Sequence, residues 1–238
     1  MISKNDKRIC IVIPAYNESA TIADVVKRVK RVFQKCSFET DIVVVDDGST
    51  DATAKAAHKE GAIVISHILN SGAGGATGTG LRYARKRNYD IAATMDADGQ
   101  HAAEDVLRGV EKVKESGDVD LLIGSRLINS RGMSRVKVLG NKGLSFITYL
   151  LFGIRTTDSQ SGMRILSTRA LEKLYWKTNG YEFCSEILWR ASQLKLKVAE
   201  YPIQAIYTEY SKAKGQNNWN AINIVRALVW RRVVEIFG

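Results

Sequence analysis

Five short runs rich in Val and Ile punctuate the first half of this chain, and helically spaced stretches separate them. Ile9–Pro14, Asp41–Val45, Ala62–Ser66, Asp90–Met95 and Asp120–Gly124 read as buried strands. Between them, Ser19–Lys35, Thr50–Glu60, Gly75–Asn88 and Ala103–Ser116 carry apolar residues at helical spacing. Ser19 and Ser49 stand where they would cap the first two helices, and Asp51 adds negative charge near the second start. Strand–helix alternation of this kind predicts an α/β fold, a mainly parallel central sheet flanked by helices. Ligands of such sheets bind beyond the carboxyl ends of the strands. The segments at those ends are PAYNE, DDGS and the D-x-D of TMDADGQH.

The second half is less regular. Leu139–Phe152 reads as a helix ending at Gly153, Glu182–Leu194 as another, Lys197–Tyr207 as extended chain and Gln216–Phe237 as a terminal helix. With 238 residues, 45% of them hydrophobic, and no repeat or linker, one domain spanning 1–238 is expected. Within it, 8–125 would bind the ligand named by the acidic motifs, 126–212 a second substrate, and 213–238 would form a basic amphipathic helix. Charge divides along the same line. Residues 1–125 hold 17 Lys and Arg against 18 Asp and Glu, whereas 126–238 hold 18 against 7. A basic second half fits an anionic partner: lipid headgroups, a phosphorylated acceptor or nucleic acid, with a merely soluble basic surface as the plain alternative. Three cysteines, Cys10, Cys36 and Cys184, lack metal-like spacing and read as reduced thiols. The N-terminus has no apolar signal segment, so a cytoplasmic protein is expected.

Asp96 and Asp98 stand one residue apart where a strand ends. Carboxylates that close repel unless a cation lies between them, and hard divalent ions favour such oxygen clusters. Gln100 and His101 follow immediately, His101 either joining that site or capping the next helix. After the first strand there is no G-x-G-x-x-G turn, which argues against dinucleotide binding. Instead, Tyr16 can stack on a base and Glu18 can bind a ribose, unless the loop merely ends a strand. Asp46 and Asp47 offer either a base or ribose acceptor or a tight turn and cap. Five glycines in Ser71–Gly80 allow close backbone approach of a helix start to the nucleotide region.

Taken in order, PAYNES, VVVDDGSTDAT, the glycine-rich turn, MDADGQH, GSR at 124–126 and SGMR at 161–164 resemble family 2 glycosyltransferases of the GT-A (Rossmann-like) fold. Within that family the series is most similar to the polyprenyl-phosphate sugar synthases, over roughly positions 8 to 215. The resemblance implies that Pro14, Ala15, Tyr16, Glu18, Val45, Asp47 and Gly75 line the nucleotide-sugar pocket. It implies that Asp96, Ala97, Asp98 and Gln100 surround Mg²⁺ or Mn²⁺ and the donor diphosphate, with Asp96, Asp98 and Gln100 as ligands. Arg126 and Arg164 match arginines near the phosphates, where guanidinium forks stabilise a departing diphosphate. Lys214 meets a later family lysine, while Thr208 stands where an arginine is usual, which puts a mannose donor and a guanine base in doubt.

The function implied is metal-dependent, inverting transfer of a sugar from a GDP-, UDP- or dTDP-linked donor to a polyprenyl phosphate at the cytoplasmic membrane face. A phosphate acceptor needs no strong base; a saccharide hydroxyl does, and Asp158, Glu182 and Glu186 are the second-half carboxylates available. No run reaches the roughly 20 apolar residues of a membrane span. Leu144–Ile154 reads as a core helix. The terminal segment Trp219–Phe237, with Arg226, Arg231 and Arg232 beside its apolar face, fits a membrane surface, its own domain or a second subunit. Three other functions compete: sugar addition to a saccharide hydroxyl in polysaccharide synthesis; a sugar-phosphate nucleotidylyltransferase, whose glycine-rich G-x-G-T-R-type loop is missing after the first strand; and nucleic-acid binding, in which the acidic motifs would have no role.

Overall fold

The structure is a computed structural model that describes residues 7–130 and 133–206, together with Val225, Arg226 and Val229. In chain order the elements are β1 (Arg8–Ala15), α1 (Ile22–Phe33), β2 (Glu39–Asp46), α2 (Thr53–Lys59), β3 (Ile63–Ser66), α3 (Ala73–Lys86), β4 (Ile91–Thr94) and α4 (Ala103–Ser116). Then follow β5 (Leu121–Ser125), α5 (Arg135–Phe152), β6 (Arg164–Ser167), α6 (Thr168–Lys173), α7 (Phe183–Gln193) and β7 (Val198–Pro202). All seven strands form one sheet in the order β3-β2-β1-β4-β6-β5-β7.

The Val/Ile runs are continuous because both sheet faces are covered. Along β1, Ile9, Ile11 and Ile13 point into one core, and Cys10 and Val12 into the other. The first core takes Ile22, Val25, Val26, Val29 and Phe33 of α1 and Val106, Val110 and Val113 of α4. The second takes Leu81 and Ala84 of α3, Leu171 of α6, and Ile187, Leu188 and Ala191 of α7. Gly80 lets α3 lie on the sheet: a Cβ there would stand 3.2 Å from Val45 and closer still to Val12.

Among the described residues the sequence pattern anticipates six of the seven strands, β7 as part of the extended stretch Lys197–Tyr207, and six of the seven helices within a residue or a few; it misses the pair β6 and α6. β6 is the antiparallel member, wedged between β4 and β5. Its reversed direction brings Arg164, its first residue, beside Thr94 at the end of β4 and Ile123 near the end of β5. Neither expected serine cap forms. Thr21 and Ala52 precede α1 and α2, and Ser49 instead accepts a bond from the Asn17 N–H at 2.9 Å. Asp51 does serve the α2 entrance, accepting from the Thr53 N–H at 2.9 Å.

α5 is not the core helix expected of Leu144–Ile154. Only Leu144, Ser145 and Thr148 of it are buried, while Val136, Leu139, Phe146 and Leu150 are well exposed. Leu151, Phe152 and Val225 pack against Leu144. Apart from Val225, Arg226 and Val229, the expected terminal helix lies outside the described residues, as do Lys214 and Thr208.

The thiols offer a direct check on this packing. Cys10 and Cys184 are buried and Cys36 is partly exposed. Burial, reinforced by Asp41, pushes the Cys10 thiol up to about 12. Because the thiolate is the reactive form, a disulfide reagent at mild alkaline pH should titrate Cys36 alone in the native protein, and all three thiols after denaturation. Rapid native labelling of Cys10 would contradict the packing of β1.

Candidate active site

β1, β2 and β4 run parallel and end at the same edge of the sheet, and β6 begins there. Main-chain pairing carries β4 one step further, the Met95 N–H donating to the Val12 carbonyl at 3.1 Å. The chain then turns through Gly99, whose φ of 77° suits glycine. Inside this turn the Gln100 N–H donates to Asp98 Oδ1 at 2.9 Å, and the Gln100 amide nitrogen to Asp98 Oδ2 at 2.6 Å. Burial raises the Asp98 carboxyl above its ordinary range; the neighbouring Asp96 carboxylate adds to this, as does Glu18 from the β1 loop. Asp96 is the open partner, its side chain 44% exposed.

His101 sits underneath. Its ring is buried, Nδ1 accepts the Asp96 N–H at 3.1 Å, and Nε2 lies 3.7 Å from Asp96 Oδ2. An accepting Nδ1 places the ring proton on Nε2, toward that carboxylate. His101 also bridges to Ala205, and the Ile206 N–H donates to the Gln100 carbonyl at 2.9 Å, so the second half is stitched to the D-x-D turn.

The donor set suits a hard divalent cation. Among the described residues no three His, Cys, Asp or Glu side chains form a complete metal cage. A small cation that keeps one or two carboxylates and takes its other oxygens from water and substrate phosphates needs no such cage. Asp96 and Asp98 would hold it, and it would relieve the repulsion that raises Asp98. Gln100, expected as a ligand, spends its amide nitrogen on orienting Asp98.

Of the residues expected around the nucleotide, Tyr16 is 44% exposed at the mouth of this edge, and Glu18 is buried at the start of α1. The Glu18 N–H donates to Thr53 Oγ1 at 2.8 Å, and the Thr21 hydroxyl donates to Glu18 Oε2 at 3.0 Å. Ala15, Val45 and Ala97 are buried and Pro14 partly so, which leaves mainly their backbone for a ligand. Asp47 is buried and occupied. Oδ1 accepts from the Ser71 N–H (2.9 Å) and hydroxyl (2.7 Å) and meets His67 Nδ1 at 2.7 Å, while Oδ2 accepts from the Gly72 N–H at 2.8 Å. Burial works against its charge, yet the bonds from Ser71, His67 and Gly72 outweigh it and hold Asp47 below the usual carboxylate range. Asp47 thus fastens the loop before α3 to the end of β2. Gly75 is likewise turned to packing: a Cβ there would meet Ser71 Oγ and lie 3.5 Å from Asn179 Oδ1. A Cβ on Gly72 or Gly74 would meet the backbone of Asn179 or Thr178, so the glycine-rich stretch makes a close helix–loop junction while Ser71 and Gly72 bond to Asp47.

Asp158 departs furthest from expectation. It is fully buried, and Arg126 grips it with Nε at 2.7 Å and Nη2 at 2.9 Å, its N–H adding a third bond at 3.1 Å. A carboxylate so enclosed cannot reach an acceptor hydroxyl; it holds Arg126 in place. Glu186 is similarly committed, accepting from the Thr178 N–H at 2.9 Å and hydroxyl at 2.7 Å. Glu182 opens α7 and accepts from the Gly180 N–H at 3.2 Å. Arg164 is buried with its Nε and Nη1 unpaired, and Nη2 only reaches the Ser159 carbonyl at 3.4 Å. Its guanidinium lies over the Phe183 ring, 5.2 Å from the centroid. Buried, unpaired donors on a cation are costly, and an anion at this edge would offset that cost. Gly162 had no sequence signal beyond its place in SGMR, yet it packs directly on Asp96.

Comparison with known proteins accords with this geometry. Residues 10–175 match the Glycosyl transferase family 2. The chain is 41% identical to a UDP-N-acetylglucosamine–dolichyl-phosphate N-acetylglucosaminyltransferase of Methanococcus voltae, over 89% of this chain and 91% of that protein. It is 30% identical to an undecaprenyl-phosphate mannosyltransferase of Micrococcus luteus, over 87% of each. Its fold is similar to that of glucosyl-3-phosphoglycerate synthase from Mycobacterium tuberculosis, crystallised with Mn²⁺, uridine diphosphate and phosphoglyceric acid. The TM-score is 0.72 at 22% identity, covering 95% of this chain and 78% of that one.

Proposed function

The chain belongs to glycosyl transferase family 2, and on that premise we propose that it transfers a sugar from a nucleotide-diphosphate donor to a polyprenyl phosphate. The observation that carries the acceptor is the 41% identity with the dolichyl-phosphate N-acetylglucosaminyltransferase along nearly the whole of both chains. That relative uses a UDP-sugar, which agrees with the departure from the mannose-synthase pattern at Thr208 and favours uridine here.

In this reading the nucleoside lies against Tyr16 and Glu18, and the donor diphosphate lies above Asp96 and Asp98. The divalent ion, when bound, supplies positive charge to the oxygens of the leaving diphosphate. Asp96 and Asp98 hold it, and Gln100 fixes the Asp98 carboxylate. Arg126, braced by Asp158, presents a rigid guanidinium to the phosphates. The acceptor phosphate, already ionised, attacks the anomeric carbon from the face opposite the diphosphate. A new C–O–P link forms as the bond to the diphosphate breaks, the configuration inverts, and nucleoside diphosphate departs. With Asp158 and Glu186 buried and committed, two of the three candidate bases are closed to a sugar hydroxyl and Glu182 alone of them is partly exposed, which supports a phosphate acceptor.

Among the described residues no helix is long and apolar enough to cross a membrane. α5 supports attachment to the surface instead. Val136, Leu139, Phe146 and Leu150 are exposed on it, and residues 121–157 contain six Lys and Arg and no Asp or Glu. An amphipathic basic helix lies in the headgroup layer of anionic membranes. The test is transfer of labelled sugar from UDP-N-acetylglucosamine, UDP-glucose and GDP-mannose to polyprenyl phosphate in vesicles, run beside soluble saccharide acceptors. Product on the lipid is expected, with a UDP-sugar preferred. Product on saccharides alone would overturn the acceptor.

A further inference from the structure

Most glycines in this fold answer to backbone shape or to helix packing, but Gly162 answers to neither. Its φ is not among the positive values found at Gly48, Gly61, Gly72, Gly99, Gly117 and Gly153, so any residue suits its backbone. What a side chain there would meet first is the Asp96 carboxylate. A Cβ on Gly162 would stand 2.7 Å from both Cγ and Oδ2 of Asp96, and closer still to Oδ1. The carboxylate occupies the place where every other amino acid carries its first side-chain atom.

We propose that Gly162 is a positioning residue for the cation of the donor site: by lacking a Cβ it leaves the seat in which the Asp96 carboxylate stands. This rests on the proposed binding of a divalent cation by Asp96 and Asp98. Two buried groups hold the seat to shape. The Thr94 hydroxyl donates to the Gly162 carbonyl at 2.7 Å and keeps that segment against β4. From beneath, His101 accepts the Asp96 N–H and fixes the backbone from which the carboxylate springs. Asp96 is therefore pinned at its main chain by one element and bounded at its side chain by another. The second element is the entry to β6, two residues before Arg164. One segment thus sets both the carboxylate that faces the cation and an arginine at the same edge.

The clash in a Gly162→Ala variant falls on the free end of a half-exposed side chain, not on backbone. The carboxylate swings away while the fold stays, so cation affinity and stability separate. Mn²⁺ binding in the presence of UDP, read from loss of the free-ion electron paramagnetic resonance signal, tests this without any turnover. Gly162→Ala should weaken Mn²⁺ about tenfold or more, as loss of an outer-shell support does, with the melting point of the metal-free protein unchanged. Thr94→Val keeps the volume and removes the clamp; it should weaken Mn²⁺ about threefold, the effect of one hydrogen bond. Mn²⁺ affinity within about twofold of the parent in Gly162→Ala overturns the inference, being well short of an outer-shell effect. Should that variant fail to fold, unchanged affinity in Thr94→Val overturns it, and weakened affinity sustains it. Asp98→Ala separates the two levels: if the parent protein shows no Mn²⁺ binding that Asp98→Ala removes, the cation reading fails and this inference falls with it. If the parent does show it and Gly162→Ala matches the parent, only the role of Gly162 fails.

Discussion

Replacing Asp98 by Ala should lower sugar transfer by about a thousandfold, the scale on which one preorganised charge-stabilising group counts, while the metal-free protein melts no earlier. The activity half rests on the proposed cation, and the stability half on the crowding of the two carboxylates. Burial and the adjacent Asp96 already raise the Asp98 carboxyl, so its charge is unfavourable when no cation offsets it. On the proposed reading, Asp98 serves when a cation and a diphosphate arrive. Removing it relieves repulsion in the resting enzyme and removes a ligand from the working one. Asp98→Asn, which keeps shape without charge, should behave alike in activity. Rates with saturating Mn²⁺ and with chelator, beside calorimetric melting, decide the matter. Full activity in Asp98→Ala, indifferent to chelator, would remove the cation from the mechanism.

Asp158→Ala should do the reverse and cost stability first. It removes the carboxylate that grips Arg126, whose side chain is only 18% exposed, and breaking a buried pair from one side costs about 3–5 kcal/mol. For a chain of this size that is roughly 10 °C in melting temperature. Activity should fall as well, because an unbraced Arg126 no longer meets the diphosphate in fixed geometry. The signature that separates bracing from base catalysis is non-additivity. Arg126→Ala together with Asp158→Ala should lose little more transfer than either alone, since each removes the same unit. A base at Asp158 would instead show up in Asp158→Asn as loss of a limb of the pH–rate profile, with stability intact.

These two aspartates show where sequence reasoning carries and where it stops. Asp96 and Asp98 are neighbours in the chain, so their repulsion is visible in eight letters. Asp158 owes its role to Arg126, and nothing in the linear text says that the GSR arginine and a TTDS aspartate face each other. The same distinction governs the fold. β1, β2 and β5 announce themselves because both of their faces are buried and their runs are unbroken. Arg164–Ser167 is a strand only because β4 and β5 flank it; alone it reads as the approach to α6. The glycine-rich stretch was legible as close packing, but not in its partner, the Thr178–Asn179 backbone. α5 misled for a physical reason: an apolar run too short to span a bilayer resembles a core helix unless one knows what lies over it.

The reversed strand has a consequence for how such enzymes diversify. β6, encoded well past the charge boundary near residue 125, lies between two strands encoded before it. A fragment ending at that boundary would leave a slot in its own sheet, with β4 and β5 each lacking a neighbour. On the proposed division into donor- and acceptor-binding halves, the two should not exchange as cassettes between relatives. A chimaera that respects this protein must instead graft loops and surface helices onto an undivided sheet, and new acceptor preferences should arise there.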